Sequence, residues 1–93
     1  MILIVDGEED PFVMELQRLI QEAGARTLLA RDATLAIAYA RWMNLTGAVV
    51  NARHEGGAHH LGLPLLLYDR SEVKDDAFAL FSRAVKQFGG AIA

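Results

Sequence analysis

The eleven residues Met1 to Pro11, MILIVDGEEDP, constrain the fold more than any other stretch of the chain. Ile2 to Val5 are apolar and largely β-branched, too few for a buried helix and followed at once by acid, which predicts a strand buried on both faces. Asp10 followed by Pro11 predicts a helix start, because the carboxylate can accept from free N–H groups and proline's fixed φ suits the first turn. A buried strand running through an acidic loop into a helix is the opening of a doubly wound α/β domain. Ligands of such sheets bind in the crevice outside the carboxyl ends of the strands. Asp6, Glu8, Glu9 and Asp10 fall at that crevice.

The rest of the chain continues the alternation. Phe12, Leu16, Leu19, Ile20 and Ala23 recur at helical spacing, with Gly24 as the stop. Ala25 to Ala30 reads as a second strand, and Asp32 caps a second helix from Ala33 to about Met43. That helix is apolar nearly all round, so it is expected to be buried on more than one side or to lie in an interface. Thr46 to Asn51 is a third strand. Between Asn51 and Pro64 lie about a dozen residues, the minimum for a parallel crossover, and three of them are glycines, so a loop or one irregular turn is expected. Pro64 to Asp69 is a fourth strand ending in acid. A single long helix is expected from about Glu72 to Phe88, and Ala91 to Ala93 supply at most a stub of a fifth strand. No internal repeat or linker divides the 93 residues, which read as one domain over 1–93.

Composition narrows the class of function. The chain is 53% hydrophobic but only 8% aromatic, which suits a packed α/β core. Twelve acidic and nine basic side chains give a formal charge of −3, and the bases are scattered, so direct nucleic-acid binding is not expected. The absence of cysteine excludes disulfides and thiol chemistry. No apolar run approaches the ~20 residues that span a bilayer, and no basic region precedes the first strand, so no membrane association is expected and a cytoplasmic location is.

ILIVD with its acidic loop, DATLAI, TGAVVNAR and LPLLLYD, in that order, resemble the receiver domain of two-component response regulators. The resemblance implies a flavodoxin-like doubly wound parallel sheet, strand order 2-1-3-4, in truncated form: the third crossover helix is reduced to a loop and the fifth helix is absent. It also implies where a phosphorylation site would be. Receivers accept a phosphoryl group on an aspartate at the end of the third strand and hold Mg²⁺ with that aspartate and an acidic pair after the first strand. A hydroxyl residue after the fourth strand and a lysine after the fifth complete the site. At these positions the chain carries Asn51, whose amide is no nucleophile; Asp6 next to Gly7; and Asp69, whose charge repels a phosphoryl group. The lysine position lies past Ala93. The resemblance therefore implies a pseudo-receiver that is neither phosphorylated nor enzymatic, needs no cofactor, and acts by protein–protein contact as an adaptor or regulator in signalling.

Two other readings compete. Asp6, Glu8, Glu9 and Asp69 form a residual acidic crevice of oxygen ligands, and His54, His59 and His60 beside Glu55 have the chemistry of Zn²⁺ ligands, which together suggest a ligand-sensing or metal-binding module. The histidine spacing matches no finger or protease motif, and a solvated loop is the preferred reading of both features. An orthodox phosphoreceiver is opposed by Asn51. With cover missing from both sheet faces, a homodimer is expected through the first helix (Phe12, Leu16, Leu19) or the last (Phe78, Phe81, Val85). The alternative is that the loop and the last helix shift to close the gaps.

Overall fold

A computed structural model describes residues 1–7 and 10–92. Strands β1 (Ile2–Val5), β2 (Thr27–Ala30), β3 (Gly47–Asn51) and β4 (Leu65–Tyr68) form one all-parallel sheet in the order β2-β1-β3-β4. Helices α1 (Pro11–Glu22), α2 (Ala33–Trp42), α3 (Glu55–Ala58), α4 (Arg70–Val73) and α5 (Ala77–Phe88) alternate with it. This is the arrangement of a flavodoxin-like doubly wound sheet. The expected helix starts hold: Asp10 accepts from the Val13 N–H at 3.1 Å with Pro11 in the first turn, and Asp32 accepts from the Leu35 N–H at 2.8 Å.

Strand alternation divides the core in two. Ile2, Ile4, Val49, Leu66 and Tyr68 face α1 and α5, whereas Leu3, Val5, Ala48 and Val50 face Ala36 of α2 together with Ala58 and Leu61. All four residues of β1 are wholly buried, as the opening stretch requires.

Several expectations need correction. The single helix expected over 72–88 is broken in two, because Lys74 and Asp75 take left-handed backbone conformations (φ 49° and 61°) and Asp76 then caps α5 through the Ala79 N–H at 3.0 Å. The break turns α5 back against α1, so this sheet face is covered by the stretch expected as one crossover helix, and no helix after a fifth strand is found among the described residues. Phe12 and Leu16, expected at an interface, are consequently in the chain's own core, 5% and 0% exposed. Leu19, Phe81 and Val85 are partly buried against the same core, and Phe78 alone of the six stays well exposed, at 63%.

The third crossover is helical rather than a loop: a 3-10 turn at Ala52–His54, α3, and a second 3-10 turn at His59–Leu61, ended by Gly62 at φ 68°. Its glycines allow this. A Cβ on Gly57 would lie 2.4 Å from the Ala33 Cβ, so α3 approaches α2 at a distance that only glycine permits. In place of a fifth-strand stub, Gly89–Ala91 form a 3-10 turn that delivers Ile92, 1% exposed, to the core; Ala93 lies outside the described residues. Helix α2 is less buried than its composition suggests: Ala36 is fully enclosed, whereas Trp42 is 85% exposed.

The β4 edge is closed to a further strand by α5. Arg83 donates to the Leu67 carbonyl at 3.2 Å and Gln87 to the Leu65 carbonyl, filling acceptors that an added strand would use. Among the described residues no helix is long and apolar enough to cross a membrane.

Candidate functional site

The sheet register brings three polar side chains into one row. Val5 pairs with Val50 and Asn51 with Tyr68, so Asp6, Asn51 and Tyr68 stand side by side at the carboxyl ends of β1, β3 and β4. The two-residue period turns all three toward the α1/α5 face. Asp6 is 1% exposed, Asn51 5% and Tyr68 2%. The Tyr68 hydroxyl and the Asn51 amide both donate to Asp6 Oδ2, the latter at 3.5 Å. Asn51 Oδ1 in turn accepts from the Arg53 N–H at 3.0 Å, which fixes the amide's orientation.

Arg70, from the first turn of α4, completes the network. One guanidinium nitrogen lies 3.2 Å from Asp6 Oδ2; another lies 2.5 Å from Asp10 and 3.2 Å from Asp75. The guanidinium carbon sits 4.3 Å from the centre of the Phe12 ring, which also packs tilted against Tyr68 at 6.0 Å. One cation thus ties β1, α1 and the α4–α5 turn together.

The charge states follow from this contact. Burial works against ionisation of Asp10, but hydrogen bonds from Arg70 and the Val13 N–H outweigh it and hold the carboxyl below its usual range. Burial and the hydrogen bond to Asp6 push the Tyr68 hydroxyl well above its usual range, so it stays a neutral donor. Burial disfavours the Arg70 charge, yet its hydrogen bonds to Asp10, Asp75 and Asp6 prevail and raise its affinity for the proton.

The remaining sequence candidates are not gathered here. Asp69 caps α4, accepting from the Ser71 N–H at 2.8 Å and the Ser71 hydroxyl at 2.6 Å, which holds its carboxyl below the usual range. Glu8 and Glu9 lie outside the described residues. His54 turns inward, its Nε2 buried without a hydrogen-bond partner among the described residues and 3.7 Å from where a Gly7 Cβ would stand. His59 faces outward and pairs with Glu55 at 3.5 Å, and His60 is exposed. Among the described residues no three His, Asp or Glu side chains are grouped to hold a metal ion. The Mg²⁺ that the receiver resemblance implies does not fit: Asn51 is neutral, Gly7 offers no ligand, and a guanidinium already lies on Asp6.

Tyr68 and Arg70 were not among the sequence candidates. A tyrosine ending an otherwise apolar strand needs a partner for its hydroxyl, and an arginine two residues on can supply a counter-charge to a buried aspartate. Those were the signals available.

Beside this network, between the N-terminal ends of α1 and α5, lies a groove of about 390 Å³. Phe12, Ala77 and Phe78 contribute its apolar surface, and Asp10, Glu15, Asp75 and Asp76 its carboxylates. Set against known proteins, the chain matches no family model, no curated protein and no solved structure.

Proposed function

We propose that the chain is a non-catalytic pseudo-receiver that acts through protein–protein contact, as an adaptor or regulator of the two-component type, in the cytoplasm. One observation carries the reading: the crevice where a doubly wound sheet normally does its chemistry is filled by the chain's own side chains. Arg70, Tyr68 and Asn51 converge on Asp6, the acid left from the expected set. Asn51 offers an amide where an acyl phosphate needs a carboxylate. A site so occupied supports a fixed shape better than a reaction, and a fixed shape serves recognition. The partners include a second copy of the chain.

The test is incubation with acetyl phosphate followed by intact-mass spectrometry. No gain in mass is expected. A phosphate-sized gain that disappears in Asn51→Ala would overturn the reading.

A further inference from the structure

We infer that the groove between the N-terminal ends of α1 and α5 receives Trp42 and Arg41 from a second copy of this chain, joining copies head to tail. The inference rests on the contact-based reading above and names the surfaces that make the contact.

The receiving half combines aromatic surface with acid. Phe78 is 63% exposed on its rim, packed tilted against Phe81 at 6.1 Å. The groove volume of about 390 Å³ lies in the ~300–1,000 Å³ range of pockets that enclose whole organic groups. Four carboxylates line it, against the guanidiniums of Arg70 and Arg18 that neutralise part of their charge. The chain itself shows what chemistry this wall accepts: Arg70 lies over Phe12 with Asp10 and Asp75 as its acceptors.

The entering half is the end of α2. Trp42 is 85% exposed, beside the exposed Arg41 and a Met43 that is 37% exposed. A bare indole next to a guanidinium is the combination that dominates binding energy at interfaces, and its N–H needs an acceptor once buried. Acid and aromatic surface on one side, cation and indole on the other, are complementary in charge. The two halves lie on opposite faces of the sheet and at opposite ends of the strands, since α2 ends where the strands begin and α1 and α5 start where they end. Patches on opposite sides of a chain cannot both face the same partner copy, so the contact is heterologous and links successive copies.

The chain has one tryptophan, so its emission reports this contact directly. In a dilution series of the full chain, emission is expected to move to the blue and scattering mass to rise with concentration, both reversed by salt. Trp42→Ala and Phe78→Ala change exposed positions, and each alone is expected to weaken self-association at least about tenfold. A mixture of the two restores one contact, because Phe78→Ala still presents Trp42 and Trp42→Ala still presents the groove. Its emission should shift to the blue as Trp42→Ala is titrated in, and the complex should stop at one copy of each. Emission of the unaltered chain that does not depend on concentration overturns the inference, as does a mixture that behaves like its separate components. Neither result bears on the acetyl phosphate experiment, which tests the pseudo-receiver reading by itself.

Discussion

Arg70 and Asp6 stand 64 residues apart in sequence and 3.2 Å apart in space, joining the first turn of α4 to the carboxyl end of β1. The pair is unequal in exposure, 19% for the arginine side chain and 1% for that of the aspartate. A buried carboxylate is costly unless it is paired and hydrogen-bonded, and here Tyr68 and Asn51 share the task. The arginine also bears on Asp10, the N-cap of α1, so the same guanidinium sets how α1 and the α4–α5 turn meet the sheet.

Removing that cation should therefore be felt by the whole fold. Arg70→Met keeps much of the stem over Phe12 but takes the guanidinium from Asp6 and Asp10. The expected loss is about 3–5 kcal/mol, the range for breaking a buried pair from one side, out of a total near 5–15 kcal/mol. Asp75→Asn removes a partner that is 77% exposed and should cost under about 1 kcal/mol. Urea unfolding midpoints compare the two. Equal losses would mean that the Asp6 contact contributes nothing special.

The shifted groups give stability a pH dependence at both ends. The Asp10 carboxyl titrates below its ordinary value of 3.8, so its contribution is present above about that pH and is lost as pH falls through the folded value. The Tyr68 hydroxyl titrates above its ordinary value of 10.0, so its contribution is complete below that pH and is lost as pH rises toward the folded value. Asp10→Asn, which keeps a competent cap, should flatten the acid limb. Tyr68→Phe should flatten the alkaline limb. Urea midpoints measured across pH check both, and an unaltered limb in either variant would remove that group as its source.

Much of this architecture is legible in the residues. The run Ile2–Val5, the caps Asp10 and Asp32 and the apolar run Leu65–Leu67 place two strands and two helices by local chemistry alone. The α4–α5 break is not, because Lys74 and Asp75 adopt left-handed backbone without glycine, and the pattern across 72–88 is amphipathic throughout. Missing that break misplaces α5, and with it the burial of Phe12 and Leu16. The site was half visible. Asp6 and Asn51 announce themselves at strand ends, whereas Arg70 acts through contacts 60 and 64 residues distant, which no local pattern contains.

Divalent cations should bind poorly. Arg70 places positive charge on the carboxylates a cation would need, and Asn51 and Gly7 add no negative ligand. Mg²⁺ is expected to bind no tighter than about 1 mM in calorimetric titration. A melting temperature raised several degrees by micromolar Mg²⁺ would favour the ligand-sensing module instead.

The third crossover offers a comparison within a single turn of helix. Gly56 and Gly57 are adjacent in α3, yet a Cβ at Gly56 meets nothing within 4 Å whereas one at Gly57 would sit 2.4 Å from the Ala33 Cβ. Gly56→Ala lowers the entropy of the unfolded chain and raises helix propensity, so it should stabilise by about 0.5–1 kcal/mol. Gly57→Ala gains the same terms but must push α3 away from α2, and overpacking of this kind costs about 1–3 kcal/mol, so the net change should be destabilising. Because α3 closes the sheet face opposite α1 and α5, the displacement should lift Ala58 of α3 and the following Leu61 out of the core on that face. Thermal denaturation of the two variants decides the matter. Opposite signs are expected, and a Gly57→Ala chain as stable as Gly56→Ala would show that the crossover does not rest against Ala33.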